Sequence, residues 1–225
     1  MPFAMEDRTA FLERVGVAPD ERPLDYGPDG FLSLLLKERT EKPVAACGPR
    51  AERLRWLPEE VRAAVCDPSK MGFRSGHFDS LWSYQSLHGV PGEALGDWAR
   101  EAFRVVRAEG KIALLLLHFA PKSPGQKAAK ALAELLEEAG LLHRHDPLKM
   151  EQWLHRAGFK EISLERVERS VRVPDGWVRS HIEWAGEAAR KARRLEAMAK
   201  AYQETAKQHG EELLPAVQIA AKKPS

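Results

Sequence analysis

The apolar positions of this chain follow two periods in turn. Phe31, Leu34 and Leu35 fall at helical spacing directly after the turn-forming run Gly27-Pro28-Asp29-Gly30, so a helix is predicted over 31–38. Further helical patterns cover 8–15, 93–106, 126–139 and 148–157, and 50–56 reads as a helical turn. Gly110, Gly140 and Gly158 are expected to stop the three longer helices. Between them lie short apolar runs at 23–26, 43–47, 61–66, 77–84 and 111–119, a run inside 159–173, and a last one at 215–220. Continuous apolar strands separated by helices predict a parallel sheet covered on both faces.

A second pattern precedes the last strand. Ala188, Ala192, Leu195, Ala199, Tyr202 and Ala206 recur every three or four residues and predict a helical insertion over about 174–212 with one buried stripe. The basic residues Lys191, Arg193 and Arg194 alternate with Glu187 and Glu196 and read as its solvated face. With 225 residues the chain suits a single domain, 1–225, large enough to bury a core.

Charge narrows the choice of partners. Lys and Arg number 35 against 33 Asp and Glu, a net charge of +2, which gives no basic excess for nucleic acid. The longest apolar run, 112–117, is too short to span a bilayer, and the N-terminus lacks a signal-peptide core, so a cytoplasmic protein is expected. Cys47 and Cys66 lack the Cys and His partners of a zinc site and read as buried thiols; no metal is expected.

Four stretches, in order and spacing, resemble one family. Leu24-Asp25-Tyr26-Gly27-Pro28-Asp29-Gly30 is similar to a glycine-rich strand–turn–helix, and 66–79 to a run that opens Gly-Asp-Ala. Residues 80–90, with Ser83, Tyr84 and Leu87-His88-Gly89-Val90, and residues 103–114 match the strand, turn and helix that follow. The chain thus resembles the class I S-adenosylmethionine-dependent methyltransferases, in particular the small-molecule branch that includes the ubiquinone-biosynthesis type.

The resemblance implies an α/β three-layer sandwich, a Rossmann-like seven-stranded, mostly parallel sheet with an antiparallel last strand. It implies S-adenosylmethionine as cofactor and a small-molecule substrate. The turn at Gly27 and Gly30 would face the methionine carboxylate at a helix N-terminus. Asp25 would orient the amino group, Asp67 with Pro68 would meet the adenine, and Ser83 and Tyr84 would lie beside the methionine. Two features depart from the pattern. The first turn is one residue short and carries Pro28 and Asp29, which removes a donor and adds a carboxylate. Gly48 stands where an acid usually takes the ribose hydroxyls, and Glu52 is a weak substitute. Both a methyltransferase with rearranged cofactor binding and a non-catalytic binding module of the same fold follow from this.

His118, at the end of a strand, is a candidate general base or a polar residue closing that strand. Tyr84, His88, His118 and Trp177 are candidates for the acceptor pocket; Trp177, Trp184 and His181 read equally well as packing residues. His143, His145 and Asp146 read as loop polarity. The short N-terminal segment would leave the site open or make it depend on a second subunit, as in a homodimer.

Overall fold

The computed structural model describes residues 2–28, 30–49, 51–54, 57–169, 171–190 and 193–225, with the backbone alone at 2–4, 52 and 53. They form two compact units: Met1–Leu116 with His145–Glu165 and Val217–Ser225, and Leu117–Arg144 with Arg166–Ala216.

The first unit is built on the sheet. Along the whole chain, both units included, the elements in order are α1 (Pro2–Val15), β1 (Pro23–Tyr26), α2 (Phe31–Arg39), β2 (Ala45–Gly48), α3 (Ala51–Leu54), β3 (Arg62–Val65), β4 (Phe78–Tyr84) and α4 (Leu95–Val105). After these come β5 (Val106–Leu117), α5 (Pro124–Glu138), α6 (Pro147–Ala157), β6 (Lys160–Val167), α7 (Asp175–Ala189), α8 (Arg193–His209) and β7 (Ala216–Lys222). The seven strands run in the order β3-β2-β1-β4-β5-β7-β6. The strands from β3 to β5 pair in parallel, with Leu24 beside both Ala45 and Leu81. β7 is antiparallel: Lys223 meets Glu109 and Gly110 while Pro215 meets His118, so the residue numbers run in opposite directions. The order reverses between β1 and β4, which is where open α/β sheets open a crevice at their strand ends.

Alternation along the strands divides the core. Leu24, Tyr26, Leu81, Ile112 and Leu114 join Trp98 of α4 and Leu154 of α6 in one buried cluster. Their neighbours turn to the other face, where Trp82 meets Phe11 of α1 with ring centroids 5.5 Å apart and Asp25 meets Ser33 of α2. Alternation along each strand gives every residue its face.

Several boundaries differ from expectation. Gly110 does not stop a helix; it lies within β5. β5 pairs Val106 with Phe78, and pairing resumes only at Lys111 with Ser80, so residues 107–110 form an excursion. A Cβ at Gly110 would lie 2.6 Å from Val106 Cγ1 and 2.7 Å from Asp79 O, so close approach of backbone selects glycine there. Gly140 and Gly158 do follow helices, with φ of 70° and 110°. α1 is longer than its predicted 8–15, and the sixth strand occupies only Lys160–Val167.

In the second unit the insertion is two helices, α7 and α8, that pack on each other and on α5. Ala188, Leu195, Ala199, Tyr202 and Ala206 are all buried as the stripe requires; Ala192 and Lys191 lie outside the described residues. Arg194 reaches Glu138 at 3.1 Å, a largely exposed pair.

Candidate functional site

In the first unit the ends of β1, β2, β3 and β4 bring the residues of the glycine turn together. Gly27 has φ +74°, and its N–H donates to Cys47 O at 2.7 Å. Ser86 Oγ donates to Gly27 O, and a Cβ on Gly27 would lie 2.2 Å from Ser86 Cβ. Gly30, at φ 88°, occupies the N-cap of α2. Both glycines hold conformations that side chains disfavour. Asp25 is buried and accepts from Ser33 Oγ at 2.5 Å, which ties the β1 carboxylate to the first turn of α2. Asp29 lies outside the described residues.

The two departures from the family pattern turn out to be one feature. A Cβ at Gly48 would sit 3.2 Å from Gly27 Cα, 3.4 Å from Gly27 N and 3.7 Å from Pro28 Cδ. The shortened turn lies against the end of β2, and an acid at position 48 would have to push it away. The side chain of Glu52 lies outside the described residues. Beside Gly48, Cys47 and Cys66 are both buried free thiols. The neighbouring Cys66 thiol, then burial, push the Cys47 thiol up, while Cys47 holds Cys66 below its ordinary value against the opposing effect of burial.

Asp67 is exposed at the end of β3, and its Oδ1 accepts from Ser69 N at 2.7 Å and from Ser69 Oγ. The Ser69 hydroxyl and backbone N–H lower its pKa, so it is an anion with both Ser69 bonds on one oxygen. Pro68 follows it, half-buried. On β4, Ser83 Oγ is buried with no partner among the described residues. Tyr84 OH donates to Asp7 Oδ2, and the Arg8 guanidinium lies 4.0 Å from the Tyr84 ring centroid and 5.4 Å from that of Phe31. α1 therefore rests on the residue that closes β4. Phe11, fully buried against Trp82 and Tyr84, anchors the helix. Asp7, Arg8, Ser33 and Ser86 were missed in the sequence.

His88 is buried and stacks on His145, ring centroids 5.5 Å apart and planes within 7°. His145 Nε2 donates to Leu87 O at 2.9 Å. The reading of His145 as loop polarity is thus corrected, because Asp146 caps α6 by accepting from Leu148 N at 2.9 Å and turns the preceding residue inward. His143 keeps an intermediate exposure.

The remaining candidates, His118 and Trp177, belong to the second unit. His118 N donates to Pro215 O, while its Nδ1 is buried with no partner among the described residues. Burial, then Arg166 and Lys122 against an opposing Glu168, lower its pKa below the usual 6.5. The unfolded chain therefore takes up this proton first as pH falls. Stability from this source is present above about pH 6.5 and lost below it through the lowered value. Thermal melts across that window should show a shallower pH slope in His118→Asn than in the wild type; equal slopes would refute the assignment. Trp177 and Trp184 are 38% and 42% exposed, so neither packs the core. His181 Nδ1 instead lies 2.9 Å from Oε2 of the buried Glu211, which also accepts from Tyr202 OH.

Among the described residues no group of His, Cys, Asp or Glu is placed to hold a metal, and no helix is long and apolar enough to cross a membrane. Residues 24–114 match the family model of a methyltransferase domain. The fold is that of the class I S-adenosylmethionine-dependent methyltransferases. No curated protein matches the chain in sequence. Among solved structures it is similar to the YcgJ protein of Bacillus subtilis, with TM-score 0.68 and 13% identity over 98% of this chain and 99% of that one. It is also similar to phosphoethanolamine N-methyltransferase 2 of Haemonchus contortus in complex with S-adenosylhomocysteine, with TM-score 0.65 and 15% identity over 98% and 53% of the two chains. A third neighbour is the 4+2 cyclase SpnF, with TM-score 0.67 and 16% identity over 98% and 82%.

Proposed function

We propose that the strand ends of the first unit bind S-adenosylmethionine and that the protein transfers its methyl group to a small-molecule acceptor. The observation that carries this reading is the match of residues 24–114 to a methyltransferase domain whose glycine turn, Gly27 to Gly30, leads into α2 with both glycines at positive φ. The residues fit the cofactor at its two ends. The turn and the positive end of α2 suit a carboxylate, Asp25 an ammonium group, and the ionised Asp67 an adenine amine. Ser83, whose buried hydroxyl has no partner among the described residues, and Tyr84 border the methionine end. The middle of the site offers no ribose acid at Gly48, so fixed backbone must position the sugar. When bound, the cofactor supplies an electrophilic methyl group on a sulfonium. The chain's task is then alignment and exclusion of water, with α1 held over Tyr84 by Asp7 and Arg8.

A cytoplasmic setting, to which the free thiols Cys47 and Cys66 are suited, belongs to this reading. So do a single working domain with 174–212 as its insertion, and a homodimer as its assembly. A second reading is favoured by Gly48 together with the cyclase among the neighbours: a ligand-binding member of the fold that transfers no methyl group.

Calorimetry with S-adenosylhomocysteine separates the two readings. Measurable binding is expected, and Asp67→Ala should weaken it by roughly 10- to 100-fold, the effect of a lost charge-assisted hydrogen bond. Asp67 is exposed, so the melting temperature should barely move. No binding heat at about millimolar ligand would overturn the methyltransferase reading.

A further inference from the structure

The second unit contains a groove of about 540 Å³ with an unbalanced set of charges. Arg172 enters it from the segment before α7, Arg179 from α7, and Lys207 and His209 from the last turn of α8. The single carboxylate in the lining, Asp175, lies 3.6 Å from Arg172 and serves as its counter-ion. Arg179, Lys207 and His209 make no ion pair or side-chain hydrogen bond among the described residues.

Lys207 and His209 answer the negative end of the α8 dipole, which accounts for them without a ligand. That explanation does not extend to Arg172 and Arg179, which come from other segments. Arg172 is fixed at the backbone by Val173 N donating to Glu211 O and Leu213 N donating to Val171 O. Its guanidinium packs over Gly210 (φ +71°), where a Cβ would lie 3.4 Å from it. α7 begins at the same groove with no side-chain cap on its positive end. Val178 and Ala206 are buried in the lining and give the groove an apolar floor. We infer that this groove is a binding site for a small molecule bearing a phosphate or pyrophosphate group, with Arg179 and Lys207 as its principal ligands and the apolar floor taking the remainder. Arginine and lysine together suit a multi-oxygen anion better than a single carboxylate, and the volume lies within the range of small-molecule sites.

The probe is inorganic pyrophosphate, titrated into the full chain at low ionic strength and followed by calorimetry and by the imidazole resonances of His209. The double variant Arg179→Gln/Lys207→Gln should weaken binding by tenfold or more, with His209 no longer shifting. Lys127→Gln, exposed on α5 and outside the groove, should bind as the wild type does. All four groove side chains are exposed, so folding should persist; circular dichroism and unchanged S-adenosylhomocysteine binding check it. Equal affinity in the wild type and the double variant, or no binding at about 10 mM, would overturn the inference. So would sedimentation with phosphatidylglycerol vesicles in the absence of pyrophosphate binding, which would assign the groove to a membrane surface.

Discussion

Gly27→Ala should destabilise the protein by about 3 kcal/mol or more and remove cofactor binding with it. Two independent costs add at this position. Its φ of +74° belongs to the left-handed region, where a residue with a Cβ pays about 1–2 kcal/mol. The new Cβ would also sit 2.2 Å from Ser86 Cβ, and Ser86 cannot withdraw cheaply because its hydroxyl is bonded to both Gly27 O and Tyr84 O. Moving the turn for relief would also stretch the 2.7 Å hydrogen bond from Gly27 N–H to Cys47 O. Urea unfolding gives the measure. Adding Ser86→Gly to Gly27→Ala should recover part of the loss, since it removes the clash and leaves the backbone strain. A Gly27→Ala protein within about 1 kcal/mol of the wild type would refute this account of the turn.

The same turn shows what the sequence could and could not convey. Its position, and the strand–turn–helix around it, followed from Asp25, Gly27 and Gly30 and from the helical spacing of Phe31, Leu34 and Leu35. The sheet was legible from its short apolar runs between helices, whereas the partition of Leu24 from Asp25 and of Leu81 from Trp82 between two faces came only with the structure. What was hidden is contact between segments distant in sequence. The short turn and the missing acid at Gly48 looked like two separate losses, and only the space left at position 48, where a Cβ would lie 3.2 Å from Gly27 Cα, joins them. Gly110 misled because a glycine after a helical pattern signals a stop, whereas here it answers a close approach from Asp79. His145 misled because its neighbours are polar. The cap made by Asp146 decides where it points, and a cap bond is a local geometry that residue types alone do not fix. Asp7 and Arg8 lay in a segment whose only evident property was a few apolar positions, so their reach to Tyr84 could not be read from spacing.

In the second unit, Glu211→Ala should cost about 3 kcal/mol, the largest loss expected there from one side chain. Glu211 is 2% exposed, and its two oxygens serve two different partners, Tyr202 OH and His181 Nδ1. Removing the carboxylate leaves the buried phenol of Tyr202 without an acceptor, leaves the ring of His181 unpaired and opens a cavity beside α8. Each orphaned buried donor costs about 1–3 kcal/mol, and the cavity adds to that. Tyr202→Phe should cost much less, because Glu211 keeps its contact with His181 and only one bond disappears. The two variants combined should be less damaging than their sum, since a missing donor no longer needs the missing acceptor. The pair also carries a pH signature. Burial, then Glu211, raise the Tyr202 pKa above its ordinary value of 10.0. The unfolded phenol ionises first, so this contribution is complete below pH 10 and falls as pH rises beyond it. Urea midpoints at pH 8 and pH 10.5 should therefore converge in Tyr202→Phe and diverge in the wild type. Should Glu211→Ala unfold at the wild-type midpoint, this buried carboxylate is not what joins α7 to α8.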